Sequence, residues 1–180
     1  MDKKNTKEIS KFLSLVLRHS PQTIQLILDE NGWAKVDELI EQCNKYQKVI
    51  DIELLQYVVE NNDKKRFAFN DDKTKIRASQ GHSIVVELEL DEVIPTDLLF
   101  HGTVERFLDA IAKEGLQKME RQHLHLSKDK ETAIKVGSRR GKPVILTVKA
   151  KEMHDDGFKF YLSENKVWLT DHVPAKYIEF

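Results

Sequence analysis

Cysteine is nearly absent. Cys43 is the single cysteine of 180 residues, so no intramolecular disulfide can form and no thiolate zinc site can be built. It falls in a helical stretch, where a buried, inert thiol is the plain reading. A chain without disulfides suits a reducing cytoplasm, which is the expected compartment. Long apolar runs are missing as well. No stretch approaches the ~18 residues that span a bilayer, and the first residues are charged, so neither membrane association nor a secretory leader is expected. Nor is there an excess of one charge: 29 Lys and Arg face 30 Asp and Glu, for a net −1. That excludes a general nucleic-acid coat but leaves room for a local arginine cluster. The phosphate-cradling patterns G-x-x-x-x-G-K-[ST] and G-x-G-x-x-G do not occur, and neither does G-x-S-x-G. There is no internal repeat, no low-complexity segment and no acidic pair that stands out.

What is present is enough for real cores. Apolar residues make up 40% of the chain, and its length fits one large domain or two small ones. Ile9, Phe12, Leu13, Val16 and Leu17 repeat at helical spacing, which predicts a helix over 5–18 with Asn5 and Glu8 as a capping box. Ser20-Pro21 stops it, leaving Arg18 and His19 at the end where a cation is favoured. A short strand at Ile24–Leu28, an Asn31-Gly32 turn, a helix capped by Asp37 and a third helix from Asp51 follow. Residues 66–69 and 75–78 flank a polar turn and predict a hairpin. This is the element order of a winged helix. The polar stretch 79–83 marks a boundary, there or within ten residues after it.

Beyond the boundary the expectation is α+β, with short mixed β-sheets. Strands are predicted over 84–90, up to His101, over 144–148 and as a 158–169 hairpin. Helices are predicted over 105–114, closed by Gly115, and around 132–136. The lobes are therefore 1–83 and 84–180.

The densest chemistry lies in Arg121-Gln122-His123-Leu124-His125-Leu126-Ser127. As a strand it sends Arg121, His123, His125 and Ser127 to one face and the leucines to the other. His101-Gly102-Thr103 follows a second apolar run, and two such strands suggest a site between them. His123, His125 and His101 could hold a metal, with His82, Asp97 or His172 as a fourth ligand, but no complete set is evident and no metal is expected. Structural roles for the histidines compete with a metal-free ligand site. Arg18, Arg66, Arg77 and Arg121 each sit at an element end or on a polar face. Arginine forks onto phosphate with two hydrogen bonds, and Arg18 beside His19 suits a phosphate dianion. Taken separately, each arginine reads first as a solvated surface residue, and spacing does not show that they converge.

The motifs Leu17-Arg18-His19-Ser20-Pro21, Gly32-Trp33, Lys65-Arg66-Phe67, Ile76 through Ser83, His101-Gly102-Thr103, Arg121 through Ser127 and Asn165 through Thr170 occur in order. Together they resemble the NAD-dependent RNA 2'-phosphotransferases of the KptA family, over nearly the whole chain. Leu124 stands where that family usually has Val, and Phe100 where it often has Tyr. The resemblance implies an N-terminal winged-helix RNA lobe, a C-terminal ADP-ribosyltransferase-like lobe and a site in the cleft between them. It implies Arg18, His19, Arg66 and Arg121 as catalytic residues. His101, Gly102, Thr103, His125, Ser127, Val167 and Trp168 would line the NAD pocket, and Arg77, His82 and Ser83 would bind substrate. The implied reaction begins when an RNA 2'-phosphate attacks NAD and expels nicotinamide. The ribose 2'-hydroxyl then attacks phosphorus, giving 2'-hydroxyl RNA and ADP-ribose 1'',2''-cyclic phosphate.

Physical chemistry is compatible with that scheme. A phosphate nucleophile is already ionised at neutral pH and needs positioning rather than a base. Fixed cations stabilise the charge that builds in the second step. The expected partners are a tRNA-like 2'-phosphorylated RNA and NAD as co-substrate, and the protein is expected to be a monomer. Two other readings compete: an ADP-ribosyltransferase that caps nucleic-acid phosphate ends, and a non-catalytic NAD-sensing nucleic-acid-binding protein.

Overall fold

The structure is a computed structural model and describes residues 3–180. It is mixed α and β, built as two compact units, one ending at Glu89 and one running Leu90–Phe180. The division lies past residue 83 because the backbone N–H groups of Ser83 and Ile84 both donate to the Arg18 carbonyl, at 3.0 and 3.4 Å. The expected strand over 84–90 does not form. The segment alternates, with Val86 and Leu88 buried and Val85 95% exposed, but it joins no sheet. Glu87 N–H donates to the Glu30 carbonyl instead, at 2.8 Å.

In the first unit helix α1 (Lys3–Arg18) buries Ile9, Leu13, Val16 and Leu17 along one stripe. It already runs at Lys3, so Asn5 lies inside the helix and caps nothing. Pro21–Ile24 is one 3₁₀ turn rather than the start of a strand. The strand, β1 (Ala34–Lys35), comes after the Gly32 turn, where φ is +83°. It runs straight into α2 (Val36–Lys45), so extended Lys35 takes the cap position. Asp37 stands in the first turn, where a carboxylate still meets the positive helix end. Asp51 does cap α3 (Ile52–Glu60), accepting from Leu54 N at 2.7 Å. Strands β2 (Phe67–Phe69) and β3 (Lys75–Ala78) form the predicted hairpin, and β1 adds to the far side of β3. Leu13, Leu17, Ile24, Leu39, Leu55 and Ile76 are fully buried in its core.

The second unit holds three small sheets. In the first, β7 (Pro143–Val148) is the central strand, with β4 (Leu99–Val104) on one side and β11 (Ile178–Glu179) on the other. β4 runs past His101 because its pairing with β7 holds to Val104↔Pro143. The second sheet is β6-β9-β8 (Leu124–Leu126, Trp168–Thr170, Tyr161–Leu162), and β5 (Leu116–Gln117) pairs with β10 (His172–Val173). All pairings among the described residues are antiparallel, so the sheets are not mixed. Helix α4 (Leu108–Glu114) follows a 3₁₀ turn at Glu105–Phe107, and α5 (Lys130–Gly137) is capped by Asp129. Helix α6 (Ala150–Asp155) was not expected from periodicity, since six residues are too few to show one.

The two sheets that carry the motifs meet at one point. Phe100 and Ser127 exchange two 2.8 Å backbone hydrogen bonds. Helix α5 lies hard against β4 at Gly102. A Cβ there would stand 1.9 Å from the Ala133 carbonyl oxygen and 2.8 Å from Gly137 N. Gly102→Ala is therefore expected to cost about 3 kcal/mol or more, since backbone rather than a pliable side chain must yield. Denaturant unfolding checks this, and a loss below about 1 kcal/mol would mean that the helix is free to shift.

Candidate functional site

In the first unit the predicted residues gather around the C-terminal end of α1. His19 Nδ1 lies 2.9 Å from Ser83 Oγ. The Arg18 guanidinium covers Gly81, whose absent side chain makes the room: a Cβ would sit 3.4 Å from Arg18 Cζ. Arg77 projects from β3 and stacks on Trp33, its Cζ 4.3 Å from the ring centroid. Trp33 is presented by a tight turn in which the Asp29 carboxylate accepts from Asn31 N and Trp33 N, at 3.0 and 2.9 Å. Arg66 is half-buried at the start of β2, and its carbonyl takes the Ser79 N–H at 2.8 Å.

His82 sits inside this group, only 1% exposed. Burial pushes its pKa down to about 4, and the Arg18, Arg77 and His19 charges add to the shift. Among the described residues neither of its ring nitrogens has a hydrogen-bond partner, nor does Oε1 of buried Gln80. Buried polar atoms of this kind are costly unless something pairs with them. What the sequence had not shown is the part played by Gln80 and Trp33. Trp33 follows an Asn-Gly turn, but nothing in its spacing points to Arg77.

In the second unit β4 and β6 bring His101 and His125 together. The Nδ1–H of His101 donates to the His125 carbonyl at 3.1 Å, which leaves Nε2 as an acceptor in the neutral ring. Burial keeps that ring neutral; the bond to His125 opposes the shift, and the Arg140 and Arg121 charges reinforce it. Arg121 Nη1 donates to His125 Nδ1 at 3.2 Å. Arg121 and His123 lie in a bend before the strand, which is only Leu124–Leu126. His123 lies beside the Tyr161 ring, centroids 5.7 Å apart, rather than with His125. Thr103 is buried, and Ser127 closes the bridge to Phe100. Val167 N–H is held by Ser163 Oγ at 3.0 Å, while Trp168 is 6% exposed within the hydrophobic core. Among the described residues no group of three or more His, Cys, Asp or Glu is arranged for a metal, and no helix is long and apolar enough to cross a membrane.

Comparison with known proteins matches the chain to one family. The family model described as "RNA 2'-phosphotransferase, Tpt1 / KptA family" covers residues 4–172. A Flavobacterium johnsoniae protein described as "Probable RNA 2'-phosphotransferase" is 71% identical over 180 residues, 100% of this chain and 99% of its own. A Fusobacterium nucleatum protein of the same description is 55% identical over 98% of this chain and 99% of its own. One from Streptomyces coelicolor is 49% identical over 100% and 98%. The chain belongs to the RNA 2'-phosphotransferase family.

His82 gives a pH test. The unfolded ring takes a proton near pH 6.5, whereas the folded ring resists until about 4. Between those values the unfolded state binds more protons, so stability is full above about pH 6.5 and falls as pH drops, by up to about 3 kcal/mol at pH 4. Denaturant unfolding from pH 7.5 to 4.5 should show this loss, and His82→Gln should flatten it. Equal slopes in the two proteins would show that His82 is not held neutral.

Proposed function

We propose that the protein is an NAD-dependent RNA 2'-phosphotransferase. It removes an internal 2'-phosphate, of the kind left at a tRNA splice junction, and passes it to NAD. The products are 2'-hydroxyl RNA, nicotinamide and ADP-ribose 1'',2''-cyclic phosphate. The observation that carries this reading is the set Arg18, His19 and Arg77 around a neutral, buried His82, in a chain of this family. A 2'-phosphate dianion answers such a set, because guanidiniums grip it with paired hydrogen bonds. The first unit is read as a winged helix that receives RNA, the second as an ADP-ribosyltransferase-like unit. The protein is read as a cytoplasmic monomer.

The second unit's donor set fits NAD. Neutral His101 offers Nε2 to a ribose hydroxyl, Arg121 supplies positive charge, and Thr103, His125 and Ser127 add polar groups around it. NAD supplies an anomeric carbon with a good leaving group. The chain's part is to hold and orient. Arg18 and His19 bind the phosphate and aim an oxygen without removing its charge. Arg77, His82 and Ser83 hold the substrate side, with the Trp33 ring fixing the Arg77 plane. Arg66 and Arg121 stabilise the phosphoryl oxygens as the ribose hydroxyl attacks. Gly102 contributes through packing, since its open side faces α5.

NAD incubated with a 2'-phosphorylated oligonucleotide tests the reading. Nicotinamide together with the cyclic phosphate supports it. A stable RNA adduct would instead mark an end-capping transferase, and no NAD consumption a non-catalytic binder. Arg66→Ala separates the steps. Loss of one charge-assisted contact in the second step should cost on the order of 3 kcal/mol, or ~10²-fold, more than it costs the first. RNA–phospho–ADP-ribose should then accumulate in single-turnover gels. Slow turnover with no adduct would place Arg66 at or before the first step.

A further inference from the structure

The reaction chemistry leaves one group of cations unused. Arg106 and Arg140 both lie against the Phe107 ring, their Cζ atoms 4.9 and 5.9 Å from its centroid. The pairing is not local in sequence. Arg140 ends the 3₁₀ turn Ser138–Arg140, which follows α5 directly. That turn is held in place by close backbone packing: a Cβ on Gly137 would stand 3.2 Å from Gly102 Cα and 3.1 Å from Pro143 Cβ. Gly141, at φ +137°, then turns the chain into β7. Arg140 is thus carried by the same packing that fixes the His101 strand, and its charge is felt by the His101 ring.

Several surface lysines of the unit are neutralised by a carboxylate. Lys149 pairs with Glu179, Lys151 with Asp155, Lys118 with Asp171 and Lys159 with Glu92. Among the described residues Arg106 and Arg140 make no ion pair, although both are exposed. Two guanidiniums lie against one aromatic ring, and stacking restricts their orientation before any ligand arrives. A forked donor of this kind matches phosphate oxygens bidentately. Two such forks on one ring match two linked phosphates better than one.

We propose that Arg106 and Arg140, set on Phe107 beside the His101 strand, bind the diphosphate of NAD. The inference rests on the NAD reading above and adds to it the residues that take the anionic middle of the molecule. Arg106 and Arg140 are binding residues with no part in bond making. Phe107 is their platform and positions them.

Titration of ADP-ribose into the protein tests this without turnover. Arg140→Gln and Arg106→Gln should each weaken binding about tenfold or more, and the pair of changes should weaken it further and reduce its salt dependence. KM for NAD should rise in the same variants, while KM for a 2'-phosphorylated oligonucleotide and the unfolding midpoint stay unchanged. Wild-type protein that binds ADP-ribose, beside variants that bind it equally well, would overturn the inference and leave the NAD reading intact. Unchanged ADP-ribose binding with a raised KM for the oligonucleotide would also overturn it, by assigning these cations to the RNA chain. Failure of the wild-type protein to bind ADP-ribose or NAD would overturn both.

Discussion

The first unit depends on keeping positive charges close together in a chain with almost no net charge. The charges that shift His82 are all positive: Arg18, Arg77 and His19. Like charges repel, so their positions must be imposed from outside the cluster. The end of a helix imposes one, since a cation is favoured where α1 stops at Arg18. The Ser83 and Ile84 N–H groups bind the Arg18 carbonyl and fold residues 81–84 back onto that helix end. The Trp33 ring holds Arg77, and the Asp29 turn holds Trp33. His82 adds no charge to the cluster, because burial keeps it neutral. An arriving dianion would relieve what the fold has imposed, and this is why the proposed substrate suits the unit.

The second unit uses neutral histidine differently. His101 is tied through Nδ1 to a carbonyl, so its other nitrogen can only accept. Arg121 bonds to His125 on the neighbouring strand, and the backbone bridge between Phe100 and Ser127 joins the two strands. His101, His125 and Ser127 are thus set by sheet geometry, while Arg121 reaches His125 from the bend before the strand. The glycine between His101 and Thr103 serves the same end from the other side, by letting α5 press on β4.

Much of this was legible in sequence, for particular reasons. Residues with a strong period or a strong turn were read correctly: the α1 stripe, the Asp51 cap, the 67–78 hairpin and the β8–β9 return. Arg18 with His19 could be placed because Ser20-Pro21 ends the helix there. Short elements were not legible. Two-residue strands and the six-residue α6 carry no period, and Val86 and Leu88 alternate like a strand without having a ladder to join. Caps were misread where a strand leads directly into a helix, as at Lys35. Long-range pairs were also out of reach. Nothing in spacing brings Trp33 to Arg77 or Arg140 to Phe107. The histidines of 121–127 divide because only three residues there form strand, so His123 turns toward Tyr161.

The account's central claim is that the first unit is built for a phosphate dianion and not for an RNA chain as such. It is tested most directly by binding, in the absence of NAD, two short oligonucleotides that differ only in a 2'-phosphate or a 2'-hydroxyl. The account predicts that the phosphorylated one binds at least ~10²-fold tighter, since two or more charge-assisted contacts are at stake. It also predicts that the His19 ring shifts its NMR titration upward on binding, as a nearby anion requires. Equal affinity for both oligonucleotides, with His19 unmoved, would contradict it.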